Sequence, residues 1–389
     1  ALLWRPRLAP LLIGAALPFY FFSRSLGGYV AVSPPGLILL LAWPATLVRA
    51  ASAHRPLRLP RSSYDGPLAL FMVAALLSLL VSEYPLLSAR ALRAVVIEPI
   101  LFFWLLRVAP SAPRLAVLGA VAAATVTALA AIGQIGLGVG GTEAEGVRRA
   151  QAWYPSPNHL ALLLGRVWPF LLAAALEGRG LAWPPALLTA VALLLTFSIG
   201  GWLGAAAAAV ATLAVLRRRR AATTLAITLA ISLAVVSALA VVGVLPERLN
   251  PLRQTGGFRV DLWLSAVAMV RDHPLLGVGL DNFAYLYQQD YLREGAIAEP
   301  NLSHPHNWLL NIWLELGLAG LVAFVALVAI FFGRALRQRG WLAAGAVGAM
   351  TDLLVHGLID NSYFLVDLAF LFWLILTVVD DASARIESE

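Results

Sequence analysis

Apolar positions fill the chain in long blocks, and polar residues are confined to the gaps between them. The blocks fall at 8–22, 29–48, 67–82, 91–107, 115–139, 157–176, 181–197, 202–216, 221–245, 307–332, 341–358 and 364–380. At 1.5 Å rise per residue, each approaches or exceeds the length a helix needs to cross a hydrocarbon layer about 30 Å thick. The pattern predicts an all-α polytopic membrane protein with about twelve transmembrane helices, organised as one transmembrane domain over residues 1–389. Pro18, Pro34 and Pro35 interrupt the first two blocks. No charged n-region with a cleavage site is readable ahead of the first block, so it is expected to be retained as a span. Two connections are long, 140–156 and 246–306, the second lying between spans nine and ten. Within it, residues 258–271 predict a helix with Phe258, Leu262, Trp263, Ala266 and Val270 near one face. Pro274, Gly277 and Gly279 end that helix, and the tyrosine-rich 280–292 predicts a second one suited to a membrane–water interface.

Composition agrees with the pattern. The chain is 60% apolar and 13% charged, against about 45–50% and 25% in soluble globular domains, and its mean hydropathy is +0.82. With no cysteine, a disulfide scaffold, a thiolate metal centre and a cysteine nucleophile are excluded. The net charge of +7 comes from arginines in short clusters between apolar blocks, which is an orientation signal rather than a nucleic-acid-binding face. Arg5, Arg7, Arg49, Arg55, Arg58, Arg61, Arg107, Arg114, Arg179, Arg217 to Arg220, Arg334, Arg337, Arg339 and Arg385 fall on alternate connections. Positive residues mark the cytoplasmic side, so both termini are expected there. Against that rule, Arg148 and Arg149, and then Arg248, Arg253, Arg259, Arg271 and Arg293, fall on the two long connections of the opposite side. An anionic ligand would account for them.

Ionisable residues inside spans are costly and point to function or to mutual pairing. Arg93 and Glu98 share the fourth span and Arg166 lies in the sixth, so the three are expected to form a neutral buried network. Asp352 and His356 are spaced i, i+4 in the eleventh span and are expected to pair, while Asp367 lies in the twelfth. The most concentrated polar pattern is the mouth of the tenth span, Ser303-His304-Pro305-His306-Asn307, followed by Gly317 and Gly320. Free backbone N–H groups on that first turn would favour an anion, and the two glycines would allow close helix packing. A histidine there can serve as base, acid or donor, or can simply cap the helix.

The run His306-Asn307, nine residues, Gly317, two residues, Gly320 resembles the characteristic motif of the O-antigen ligase family. Three further segments resemble the family in the same order. They are the arginine helix with Arg259 and Trp263 leading into DHPLLGVGLDNF (272–283), the upstream segment from Arg149 through Asn158 and His159, and HGLIDNSYF (356–364). The likeness covers about residues 115–380. It departs where an arginine often follows the seventh span, since this chain has Ser198-Ile199-Gly200.

The resemblance implies a GT-C-like, metal-independent, inverting glycosyltransferase of the bacterial inner membrane that needs no cofactor. Its donor would be an undecaprenyl-diphosphate-linked glycan. Its acceptor would be lipid A–core or another glycolipid in a ligase, or a second carrier-linked glycan in a polymerase. On this reading Arg149 and Arg259 hold the departing diphosphate, since guanidinium is planar, permanently charged and bidentate. His306 would act as base toward the acceptor hydroxyl or as donor toward the diphosphate. Arg148, Asn158, His159, Asn307 and Tyr363 would contact glycan or phosphate, all on the extracytoplasmic face. The rival class, a secondary transporter, would use Asp352 and His356 as a proton relay, but no paired broken helices in corresponding halves are readable.

Overall fold

A computed structural model describes residues 8–25, 31–52, 54, 61–109, 111–144, 146–242, 256–297 and 300–380. Arg5, Arg7, Arg55, Arg58, Arg248, Arg253, Arg385 and the side chain of Phe258 lie outside the described residues, as does the start of the 246–306 connection. In chain order the helices are α1 (Ala9–Ala16), α2 (Pro34–Ser52), α3 (Asp65–Ser78), α4 (Pro85–Ala91), α5 (Glu98–Arg107), α6 (Ala112–Leu137), α7 (Pro157–Leu176) and α8 (Trp183–Leu195). They continue as α9 (Ile199–Val215), α10 (Arg219–Val241), α11 (Gly256–Asp272), α12 (Phe283–Leu286), α13 (Trp308–Ala335), α14 (Trp341–His356) and α15 (Val366–Val378). Two antiparallel hairpins complete the described structure, β1 (Arg24–Ser25) with β2 (Ala31–Val32) and β3 (Thr142–Ala144) with β4 (Val147–Arg149). A helix stands at every predicted apolar block. By length and composition α2, α6, α7, α10 and α13 suffice to cross a membrane, and α1, α3, α8, α9, α14 and α15 are shorter apolar helices.

Prolines set several boundaries. Pro34 and Pro35 begin α2 rather than breaking it, because a first-turn N–H has no intrahelical partner to lose. Pro99 acts differently. Having no N–H, it gives nothing to the carbonyl of Val95, and a π-helical stretch, Leu92–Ile97, joins α4 to α5 there. The Tyr363 hydroxyl donates to that Val95 carbonyl at 2.9 Å and accepts from the Trp373 indole at 2.9 Å. Tyr363 is buried against Phe71, Phe324 and Phe372, and it ties α15 to the π-helical stretch in the core.

The helix ends sort onto two faces. At one, Arg107 (α5) lies 3.2 Å from both Asp65 (α3) and Asp380 (after α15), and Arg334 (α13) lies 2.7 Å from Asp380. Arg218 donates to the Leu176 carbonyl at the end of α7, and Arg179 lies over Trp341 on the same face. The opposite face carries the β3–β4 hairpin, the starts of α7 and α13, the end of α14, and α11 with α12.

The segment after α11 is held by a break in α13. Gly317 has φ 69° and ψ −175°, which interrupts the helix and frees backbone groups on either side. Val278 N–H donates to the freed Leu314 carbonyl at 2.7 Å, and Leu318 N–H donates to the Leu275 carbonyl at 3.1 Å. A Cβ at Gly317 would strike the Leu275 carbonyl oxygen, one at Gly277 would strike that of Leu314, and one at Gly320 would strike the Leu316 side chain. Gly317 and Gly277 therefore admit the 273–279 turn into the break, a different use from the predicted helix packing, while Gly320 leaves room for the Leu316 side chain. Asn282 anchors the other side of the turn, accepting from Tyr84 N–H at 3.0 Å and donating to Ser88 at 2.7 Å. Leu262, Ala266, Met269 and Val270 of α11 pack with Phe283, Leu286 and Leu314 as a second small core. The predicted helix over 280–292 starts only at Phe283, because Gly279 and Asp281 have positive φ, and it widens to a π turn over Tyr287–Tyr291.

Candidate functional site

Asn307 is the N-cap of α13. Its side-chain oxygen accepts from Leu309 and Leu310 N–H at 3.0 and 3.3 Å, while Trp308 N–H donates to the Gly357 carbonyl at 2.7 Å. Its amide nitrogen donates to the Leu358 carbonyl at 3.2 Å. The N–H groups expected to hold an anion at this helix mouth are thus already used, and that expectation is corrected: Asn307 is a cap that ties α13 to the turn after α14. His306, just before it, has φ 50°, a left-handed conformation that costs a non-glycine residue on the order of 1 kcal/mol and turns its ring away from the helix.

That ring meets Asp360, a residue the sequence reading did not single out. His306 Nδ1 lies 3.2 Å from Asp360 Oδ1, His304 Nε2 lies 3.5 Å from the same oxygen, and His356 Nε2 lies 3.9 Å from Oδ2. The Asn361 N–H also donates to Oδ1, at 2.8 Å. Burial alone would raise the carboxyl of Asp360, but the hydrogen bonds from His304 and His306, with the charges of His306 and His356, hold it well below the usual carboxylate range. His304 is buried, its Nδ1 2.9 Å from the Ser303 hydroxyl, and burial pushes its imidazole down to about 4, the neighbouring His306 adding to the effect. It is therefore neutral at neutral pH. His304, His306 and Asp360 present ligand atoms within 4.8 Å of one another and could hold a metal ion. Those atoms are already engaged with each other.

Arg259 of α11 lies within electrostatic reach of the same carboxylate. Burial lowers its pKa and Asp360 offsets this, while its charge is also felt at His356. Its Nε is buried without a hydrogen-bond partner among the described residues. His159, in the first turn of α7, interacts electrostatically with Asp360, His304 and His306, and its Nδ1 is likewise buried and unbonded. Next to it, Asn158 accepts from Arg149 Nη2 at 2.8 Å, and Arg149 Nε donates to the Thr196 carbonyl at 2.8 Å. The structure thus gathers Arg259, His306 and His159 around Asp360 and hangs Arg149 beside them through Asn158. Arg148 points elsewhere, to Glu143 across the hairpin at 2.8 Å. Tyr363 belongs to the core, not the site.

Below the site the buried charges pair differently from expectation. Arg93 and Glu98 lie 3.6 Å apart, but Arg166 is separate from them and faces Asp352, with Asp367 in electrostatic reach. His356 turns to Asp360 rather than to Asp352. Gly165, Gly200 and Gly204 form the notch that admits these two side chains, since a Cβ at Gly165 would lie 2.5 Å from Asp352 and one at Gly200 would lie 2.6 Å from His356. Asp367 accepts from the Tyr154 hydroxyl at 3.0 Å. The signal for Asp360 was present in the sequence as an acid one turn beyond His356, within the HGLIDNSYF segment.

Residues 184–325, from α8 into α13, match the family described as O-Antigen ligase, and this stretch contains Arg259 and His306. An O-antigen ligase of Pseudomonas aeruginosa is 28% identical over 133 residues, 32% of this chain and 31% of that protein. A Rickettsia conorii protein named as a polysaccharide ligase is 32% identical over 87 residues, 22% of this chain and 21% of that protein. The matched stretches thus cover less than a third of either relative. Over that stretch, which is less than half of the chain, the sequence is similar to the O-antigen ligase family.

Proposed function

We propose that this chain is a metal-independent, inverting glycosyltransferase of the bacterial inner membrane. It moves a glycan from undecaprenyl diphosphate to lipid A–core or a comparable cell-surface acceptor. The observation that carries the reading is that His306, at the mouth of α13, pairs with Asp360 while Arg259 of α11 lies within electrostatic reach of the same carboxylate. With Nδ1 donating to Asp360, His306 keeps its Nε2 lone pair for an acceptor hydroxyl. Nε2 takes the hydroxyl proton as the acceptor oxygen bonds to the sugar C1, and the bond from C1 to the diphosphate oxygen breaks. Attack opposite the leaving group inverts the anomeric centre. The pair of electrons leaves on the diphosphate, whose charge Arg259 and Arg149 stabilise. Asp360 fixes the ring and balances the imidazolium that forms, the part a buried aspartate plays beside a catalytic histidine.

The positive-inside pattern supports a cytoplasmic arginine-rich face and cytoplasmic termini, with the site on the extracytoplasmic side. Purified protein in proteoliposomes tests the reading when supplied with an undecaprenyl-diphosphate glycan, with and without chelator. Transfer to a lipid A–core acceptor that survives chelation is the expected result. Growth of the carrier-linked glycan alone would make the enzyme a polymerase, and loss of activity on chelation would overturn the metal-free mechanism.

A further inference from the structure

The 273–279 turn belongs to a connection between spans, yet the break in α13 seats it partway down a membrane-spanning helix. Arg334 marks the level of the arginine-rich face on α13, where it lies 2.7 Å from Asp380. Gly317 stands about 26 Å above it along the helix at 1.5 Å per residue. A hydrocarbon layer is about 30 Å thick, so the break falls inside the layer, about 4 Å below its far surface. Tilting α13 would set it deeper. The side chains agree with that depth. Arg271, Asp272 and His273 are exposed and polar, and the Pro274-Leu275-Leu276 run that follows is exposed and apolar, with Leu275 at 68%. Leu318 N–H donates to the Leu275 carbonyl, and Leu318, Val322 and Val325 are exposed on one face of α13. The leucine tip thus continues the outward flank of a span. Trp313, whose indole donates to the Pro274 carbonyl at 2.7 Å, stands one turn nearer the helix mouth, at the level where tryptophan collects.

Irregular backbone enters hydrocarbon only where protein satisfies its polar groups. Here three successive carbonyls are taken. His273 accepts from Gly277 N–H at 3.2 Å, Pro274 from the Trp313 indole and Leu275 from Leu318 N–H at 3.1 Å. Pro274 itself has no N–H to satisfy. We propose that the 273–279 turn is a re-entrant element, with Leu275 and Leu276 among the acyl chains of the leaflet on the site's side and Arg271 and His273 among its headgroups. The partner is lipid hydrocarbon, and the tip is an extension of the surface that α13 already presents to it. Because α11 ends in this turn, the helix that carries Arg259 is tethered to the membrane at its end. The inference uses the spanning of α13 and is independent of the glycosyl-transfer reading.

The chain has no cysteine, so single spin labels can be placed on it without background. Leu275→Cys and Leu276→Cys are labelled in the full chain and reconstituted into phosphatidylcholine–phosphatidylglycerol vesicles. Val322→Cys serves as the reference facing lipid, and Glu294→Cys, exposed beyond the spans, as the reference facing water. Power-saturation spectroscopy compares collisions with oxygen, which concentrates in hydrocarbon, and with a polar nickel chelate, which stays in water. At 275 and 276 oxygen is expected to exceed the chelate several-fold, as at 322, with the order reversed at 294. Chelate access at 275 and 276 equal to that at 294 would put the turn in water and overturn the proposal. Poor access to both reagents would mean that protein, such as a second copy of the chain, covers the tip, and would overturn it too. An unlabelled pair guards against a label that unseats the turn. Leu275→Asp should unfold at a lower temperature in vesicles than Leu275→Ala, because its carboxylate would be carried into hydrocarbon; equal midpoints would count against the re-entrant turn.

Discussion

Replacing Asp360 by asparagine keeps the shape of the site's central residue and removes its charge. Two charge-assisted contacts depend on that charge, to His306 at 3.2 Å and His304 at 3.5 Å. Both are long for such bonds, so each is taken at the lower end of the usual range, about 1.5 kcal/mol. Their sum, about 3 kcal/mol, corresponds to roughly a hundredfold in rate if it is lost from the state in which His306 becomes imidazolium. The asparagine amide can also face His306 with its N–H group, which would select the wrong tautomer and deepen the loss. The assay is initial-rate transfer from an undecaprenyl-diphosphate glycan in proteoliposomes, beside thermal unfolding of the same preparation and binding of undecaprenyl diphosphate. The expected result is transfer down about a hundredfold or more in a folded protein that still binds the carrier. Because the carboxyl is held below its ordinary range, wild-type activity should show no acid limb from this group at or above about pH 4. Wild-type rates in folded Asp360→Asn would refute the assignment of Asp360 as the residue that orients His306.

Three further outcomes follow from the same geometry. Gly317→Ala places a Cβ against the Leu275 carbonyl at a residue with φ 69°, and should cost about 2 kcal/mol or more of stability by expelling the 273–279 turn; an unchanged unfolding midpoint would show that the turn is not locked by the helix break. Asn307→Ala removes a cap, so stability should fall by about 1 kcal/mol while transfer per folded molecule drops less than tenfold, and a larger kinetic loss at unchanged stability would make Asn307 a substrate contact instead. His304, with a native value of about 4 against an ordinary 6.5, has stability fully present above pH 6.5 and lost as pH falls toward 4, because the unfolded chain takes up the proton first. The loss is on the order of 3 kcal/mol across that window, and His304→Gln should flatten the fall in unfolding midpoint between pH 7 and pH 4.5; an identical slope in the variant would contradict the buried neutral imidazole.

The helices were legible because hydropathy carries the physical requirement for burial in a bilayer, and α15, apolar all round, is accordingly buried on every side. Arg259 was singled out by its motif and by its charge against the topology rule, and His306 by its motif; that Asp360 lies near both was what the fold added. Asp360 was not legible, because spacing along a helix pairs Asp352 with His356, whereas the chain turns back after α14 and offers His356 a carboxylate from the loop. Arg166 shows the same limit, since its partners come from α14 and α15 rather than from its neighbours in sequence. Tyr363 and Asn307 looked like ligand contacts because both sit in motif segments. Each instead satisfies backbone groups, Tyr363 a carbonyl left over by Pro99 and Asn307 the first turn of α13, and only the three-dimensional register reveals that demand.

The central proposal is that one guanidinium and one imidazole, from α11 and the mouth of α13, serve one transition state, the first at the departing diphosphate and the second at the acceptor hydroxyl. It is tested most directly by single-turnover release of undecaprenyl diphosphate from wild type, Arg259→Ala, His306→Ala and the double variant, all verified as folded. If the two residues serve one transition state, each single change should slow release at least a hundredfold, and the double should be little slower than the worse single. Release near the wild-type rate in either single variant, or losses that simply multiply in the double, would contradict it.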